Sequence, residues 1–232
     1  MFHGKSKAVT FSYDDGVTQD QRLIDLFDRY GLKATFNLNS GLLGTAGSLI
    51  RADKTVAHVK PRACEVREIY RGHEIAGHTL THPSLVGLDE EEIVRQVEED
   101  RQALSELAGY EVVGMAYCGG GVNYDARVAE IIRRRTGMKY CRTTQTDESF
   151  APQSDLYVFR PTVWHGDWDR LFALGERFLA AESGRPAVLY VWGHAYEFDI
   201  DHTWERFEEF CRLISGKPDV FYGTNREVLL GE

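Results

Sequence analysis

Short apolar, β-branched runs alternate with longer amphipathic ones along nearly the whole chain. Ala8–Ser12 reads as a buried strand, and Gln19–Tyr30 as a helix whose apolar face carries Leu23, Ile24, Leu26 and Phe27. Gly31 then stands where a C-cap closes such a helix. Ala34–Leu38 is a second strand and Glu74–Gly77 a short third one. Asp89 is placed to cap a long helix that ends at Gly109, with acids in its first turn and Ile93, Val97, Leu104 and Leu107 near helical spacing. A strand over Val112–Tyr117 and a helix over Asp125–Arg135 follow, and beyond Val158–Arg160 a helix over Trp168–Ala181 leads into a strand over Ala187–Val191. Trp204–Ile214 is helical, Val220–Tyr222 a last strand and Asn225–Leu230 a closing helix. This alternation predicts an α/β fold with a parallel sheet and right-handed crossovers. About seven or eight such units close into a distorted (β/α)7-8 barrel, read as a single domain over residues 1–232. An open doubly wound sheet is the alternative, but the first strand lacks a GxGxxG turn. Gly41–Pro61 is a long unpatterned stretch of the kind that covers an active site.

Composition narrows the classes. With 43% hydrophobic and 27% charged residues among 232, disordered and fibrous readings fall away. Thirty-six acidic residues against 27 basic ones leave a net charge of -9, which repels phosphate backbones and argues against nucleic acid as a partner. There is no apolar run of about 18 residues, so no membrane span is expected. The start runs from Met1 to Lys7 straight into a strand, without an apolar leader. The expectation is a cytoplasmic protein, or a secreted one where a leader has been removed. Cys64, Cys118, Cys141 and Cys211 are widely spaced and read as reduced thiols.

In α/β folds, functional groups gather just past the carboxyl ends of the strands. Polar clusters stand at those places: Ser12-Tyr-Asp-Asp-Gly16, His78-Thr-Leu-Thr-His82, Tyr117-Cys-Gly-Gly-Gly121, Trp164-His-Gly-Asp-Trp168 and Val191-Trp-Gly-His194. Two imidazoles four residues apart face one way on a helical turn and can bind one metal; Pro83 ends that turn at His82. A third ligand is needed, and a carboxylate completes a site that keeps positions open for water. Of the neighbours Asp14 and Asp15, one can bind the metal while the other faces the water as general base. Each cluster alone has a structural explanation; their joint occurrence, each at a strand end, points to chemistry. His3, His58, His73, His165 and His202 lack such partners and read as structural or surface groups.

Together, Phe11-Ser-Tyr-Asp-Asp-Gly16 and His78-Thr-Leu-Thr-His82 make the chain resemble the polysaccharide deacetylases, carbohydrate esterase family 4 or the NodB homology domain, from about Lys7 to Tyr222. The resemblance implies removal of acetyl groups from N-acetylated sugars or polysaccharides. It implies Asp14 as base and Asp15, His78 and His82 as ligands of one divalent ion: zinc by ligand type, with cobalt, nickel or iron suited to the same set. It further implies His194 as the acid that protonates the leaving amine and Asp167 as the carboxylate that orients it. Gly119 would supply an oxyanion donor, with Tyr117, Val191 and Trp192 as further substrate-binding residues. The third motif departs from the family's R-P-P-Y-G, since Ala116-Tyr-Cys-Gly-Gly120 lacks the arginine that pairs with the base; Arg160 is a candidate substitute. The late motif continues as Ala195-Tyr-Glu-Phe198, also unlike the family, so the chain reads as a divergent branch. Rival expectations are hydrolysis of an O-acetyl ester or another small amide, and a carbohydrate-binding protein without catalysis.

Overall fold

In the computed structural model, which describes residues 2–51, 53–182 and 184–232, strand β1 (Lys7–Asp14) is buried along its whole length. Its two faces differ in chemistry. Val9, Phe11 and Tyr13 join the main apolar cluster. Thr10, Ser12 and Asp14 lie on the other side in a polar layer, where Thr10 bonds Asn225 at 2.9 Å and Asn37 bonds both Ser12 and Asp14. Alternation of side chains along a strand produces this division. The same rhythm recurs in β2 (Ala34–Leu38), where Thr35 and Asn37 alternate with the apolar Ala34, Phe36 and Leu38.

Hairpin strands β3 (Ser48–Arg51) and β4 (Lys54–Ala57) come next, after the first helix α1 (Asp20–Arg29) and β2. Then follow α2 (Val66–Ile69), β5 (Glu74–Gly77), α3 (Glu90–Ala108), β6 (Gly114–Ala116), α4 (Ala126–Arg135) and β7 (Tyr140–Arg142). The last part comprises β8 (Val163–Trp164), α5 (Trp168–Ala180), β9 (Ala187–Gly193), α6 (Ala195–Asp201), α7 (Trp204–Ile214), β10 (Val220–Tyr222) and α8 (Asn225–Leu230). The main sheet runs β7-β6-β5-β2-β1-β9-β8, with β10 alongside the first residues of β1, and its strand pairings are parallel. It curls into a half-barrel with helices outside, the expected architecture. All strand carboxyl ends therefore meet at one face.

Several elements follow their local signals. The Asp89 carboxylate accepts from the Glu92 N–H at 2.8 Å, and Gly109 ends α3 in the left-handed region at φ 78°. Other elements carried no periodic signal. Gly41–Pro61 is not patternless: it holds the β3–β4 hairpin, paired antiparallel from Ser48–Ala57 to Arg51–Lys54. The three-residue β7 and the helix α6 were not anticipated, and both supply the site. The long strand expected at Val112–Tyr117 shortens to Gly114–Ala116. Gly114 is needed there, because a Cβ would lie 1.8 Å from the Tyr140 ring. Among the described residues no helix is long and apolar enough to cross a membrane, and all four cysteines are free.

Candidate active site

Asp14, at the end of β1, is 1% exposed and lies on the polar face of the sheet. A guanidinium from the neighbouring wall, that of Arg142 at the end of β7, contacts both of its carboxylate oxygens. Arg142 is itself fully buried and stacks 4.6 Å from the Trp192 ring. Asn37 Nδ2 adds a hydrogen bond to Asp14 at 2.8 Å. Burial works to raise the Asp14 pKa, but the charges of Arg142, His78 and His194 outweigh it and hold the carboxyl below its ordinary value. Asp14 is thus ionised at neutral pH. The arginine missing from the third motif is supplied by Arg142; Arg160 is exposed and its backbone is tied to Gln153 instead.

Asp15 follows in the left-handed region at φ 79°, an uncommon conformation for a side chain with a Cβ, and this turns its carboxylate away from that of Asp14. Its Oδ1 stands 3.3 Å from His82 Nε2 and 3.7 Å from His78 Nε2. Its Oδ2 meets His58 Nε2 at 3.2 Å, and the Lys60 ammonium bonds its carbonyl. Burial opposes ionisation, yet hydrogen bonds from His58 and His82 and the charges of His194 and Lys60 keep Asp15 well below the usual carboxylate range.

The two candidate ligand histidines do not share a helical turn, against the expectation from their spacing. Residues 78–82 form a loop in which Thr79 and His82 adopt positive φ, 62° and 63°. Surrounding groups hold that strained loop. Asn39 Nδ2 donates to the Thr79 carbonyl at 2.9 Å, Gln96 Oε1 accepts from the Thr81 N–H at 3.0 Å, and Asp100 accepts from the His78 N–H at 3.0 Å. His78 Nδ1 lies 2.9 Å from the Ala116 carbonyl, which makes it the protonated nitrogen and leaves the Nε2 lone pair free.

These donors suit a divalent ion. Metal–ligand bonds of about 2.0–2.1 Å in a tetrahedron place neighbouring donors roughly 3.3–3.4 Å apart, close to the separations of Asp15 Oδ1 from the two imidazoles. A second set, His78, His82 and Cys118, also has its donor atoms within 4.8 Å of one another. Cys118 is the weaker candidate: its thiol donates to the His78 carbonyl at 2.7 Å, and burial pushes its pKa well up, away from the thiolate a metal needs.

His194, just past β9, faces this group from the opposite wall, with Nε2 4.0 Å from Asp14 Oδ2. Burial lowers its basicity, but the Glu197 carboxylate beside it, with the charges of Asp15 and Asp14, raises its pKa to about 9. Asp167, expected beside it, is elsewhere: it starts α5, is partly exposed and lies 3.5 Å from Arg170. The nearby carboxylate is Glu197 in α6, 3.4 Å from His194 Nδ1. His165 and His58, set aside from the sequence, also reach this region: His165 Nε2 is 3.1 Å from Glu197.

A cavity of about 610 Å³ opens over these groups, lined by Asp14, Asp15, His78, His82 and His194. Tyr117, Gly119 and Trp192 line it as expected, and the hairpin segment contributes Leu49, Arg51, His58 and Lys60. Val191 does not line it. Adjacent strand residues face opposite ways, so with Trp192 inward Val191 belongs to the apolar cluster under the helices. Arg142, Glu197, Asn37 and Lys60 went unrecognised in the sequence. Only Glu197 carried a signal there, being acidic three residues beyond a candidate histidine.

The profile of the polysaccharide deacetylase family matches residues 3–141. The peptidoglycan-N-acetylglucosamine deacetylase of Bacillus cereus is 33% identical over 104 residues, which is 44% of this chain and 32% of that protein. The chitooligosaccharide deacetylase of Rhizobium leguminosarum bv. trifolii is 28% identical over 99 residues, 41% of this chain and 39% of that one. In both, the matched stretch is well under half of the relative's length. Among solved structures, the family 4 carbohydrate esterase of Streptomyces lividans superposes with a TM-score of 0.56 at 16% identity, over 95% of this chain and 92% of that one. A family 4 pseudoenzyme from Bacillus anthracis gives 0.57 at 16% identity, over 97% and 66%. The PuuE allantoinase gives 0.71 at 12% identity, over 97% and 90%. At such identities these likenesses establish a shared fold. With the family profile spanning more than half of its residues, this chain belongs to the polysaccharide deacetylase family.

Proposed function

We propose that the chain is a divalent-metal-dependent hydrolase that removes acetyl groups from N-acetylated sugars. The observation that carries this reading is the pairing, 4.0 Å apart, of a buried carboxylate and an imidazole beside three convergent donors. Asp15, His78 and His82 would hold the ion. When bound there, a divalent cation lowers the pKa of water and polarises a carbonyl. Asp14, kept ionised by Arg142, takes the proton of the attacking water as general base. The Gly119 N–H, at the cavity wall, donates to the oxyanion, a contribution of roughly 3 kcal/mol for one such donor. His194 is protonated at neutral pH and gives its proton to the departing nitrogen.

The relatives named as peptidoglycan and chitooligosaccharide deacetylases support an N-acetylated sugar polymer as substrate. One observation favours the second reading, hydrolysis of another small amide. The β3–β4 segment forms a wall of the cavity, and about 610 Å³ matches the sites of small ligands. A binding protein without catalysis has no need of a buried base facing an acid. The deciding measurement is acetate release by the zinc-loaded chain from chitooligosaccharides, peptidoglycan fragments and small N-acetyl sugars, with Asp14→Asn alongside. Activity on at least one substrate is expected, with a loss of about 100-fold or more in Asp14→Asn at unchanged zinc content. A silent wild type, or an Asn variant of full activity, would refute the reading.

A further inference from the structure

The late motif, like the third one, leaves the family pattern, and the structure gathers several donors on its glutamate. Glu197 lies in the first turn of α6, with its side chain 4% exposed. Its Oε2 accepts from Trp164 Nε1 at 3.0 Å and from the His194 backbone N–H at 3.2 Å. The same oxygen stands 3.1 Å from His165 Nε2 and 3.4 Å from His194 Nδ1. Oε1 takes the guanidinium of Arg51, which reaches across from the hairpin and is itself about half exposed. One buried carboxylate therefore touches the acid on one side and the hairpin on the other.

Resting on the reading of His194 as the acid, we propose that Glu197 is its positioning residue and that Arg51 couples the hairpin to the acid by drawing on the same carboxylate charge. A carboxylate beside Nδ1 turns the ring so that Nε2 points toward Asp14 and the cavity, and it stabilises the imidazolium. A cation on its other oxygen weakens that pull, with solvent damping the effect because Arg51 is half exposed. The remaining neighbours of His194 are few. Asp14 and Asp15 face it from β1 and the turn beyond, Tyr196 from α6 at a ring separation of 5.0 Å and Trp192 from β9 at 5.9 Å. His165 couples to it from the loop after β8. The hairpin is fastened at a second point, where Lys54 donates to the Ile200 carbonyl at 3.1 Å, so Arg51 is held at α6.

The test follows His194 in the zinc-loaded chain by NMR titration of labelled histidine, together with kcat and KM on a small N-acetyl sugar. In Glu197→Gln the midpoint of His194 falls by about one pH unit or more, kcat drops roughly 100-fold and KM changes little. Glu197→Asp restores a carboxylate and returns most of the midpoint. Arg51→Ala moves the midpoint the other way, upward, while Arg51→Lys leaves it near wild type. Opposite displacements are the signature that a merely structural role cannot produce; retained zinc and melting temperature show that Glu197→Gln is folded. An unmoved midpoint in Glu197→Gln, or displacement of both variants in one direction, overturns the proposal. Opposite displacements in a chain that releases no acetate leave Glu197 assigned and overturn the deacetylase reading instead.

Discussion

Asp14 and Arg142 are buried together, with side chains 2% and 0% exposed, and neither has water to fall back on. Removing one member of such a pair strands the other's charge. Arg142→Met is expected to lower the unfolding free energy by about 3–5 kcal/mol, measured by urea denaturation. It also removes the charge that holds Asp14 ionised, so the acidic limb of the activity profile moves to higher pH. A variant as stable as the parent would show that Asn37 alone supports the carboxylate. The sequence had pointed to Arg160, which sits near a strand-like run. Arg142 lies in Tyr140-Cys-Arg142, a strand too short to show periodicity, and only the pleat of β7 turns it inward beside β1.

Helix α3 shows how a scaffold element serves a distant site. Its Gln96 and Asp100 hold the loop of His78 and His82 in its left-handed turns, and Asp100 also binds the backbone N–H and hydroxyl of Ser40. Replacing Asp100 by Ala takes the partner from both Ser40 donors and leaves the His78 N–H with the Leu38 carbonyl alone. The expected result is a 10- to 100-fold weaker zinc affinity, about the effect of losing a group that orients ligands, read by calorimetric titration. An unchanged affinity would mean that Asn39 and Gln96 suffice. By contrast, Asp89→Ala at the other end of α3 removes only a cap, and costs about 1 kcal/mol of stability with zinc affinity intact. The cap was legible as a local motif. The support of the histidine loop was not, because Asp100 reads along the helix as one more acid among many.

Across the molecule, buried acids with opposite shifts contribute opposite pH dependences. Asp20 and Asp100 are raised to about 7, burial outweighing the hydrogen bonds from Tyr70 and Val17 in one case and from Ser40 and His78 in the other. Both hold a proton in the folded state at pH values where the unfolded chain has lost it. Their contribution is full below the ordinary aspartate pKa of about 4 and is lost as pH rises through about 7. Asp14 and Asp15 act in the other sense: theirs is present above that ordinary value and lost only as pH falls through their lowered pKa values. Between pH 4 and 7 Asp20 and Asp100 therefore withdraw stability from the metal-free chain as pH rises, while buried His78, lowered to about 4, acts in the opposite sense, and Asp20→Asn is expected to remove its own share of the decline in denaturant titrations. At neutral pH, zinc at 100 times its Kd adds about 2.7 kcal/mol, and a chelator removes it. A chain whose melting temperature ignores zinc would count against the ligand set.

Much of the strand–helix alternation, though not the β3–β4 hairpin, α2, β7, β8 or α6, the caps of α3 and the motifs of Asp14, Asp15, His78, His82 and His194 could be read from the chain alone, because each rests on residues close in sequence. Periodicity and short spacings carry that information. Which arginine meets Asp14 and which strand residue faces the cavity were decided only in three dimensions. Those contacts join segments up to 128 positions apart, as in Arg142 and Asp14. They depend on the inward or outward phase of the strands and on where the curled sheet brings their ends, and neither quantity is written in any local window of residues.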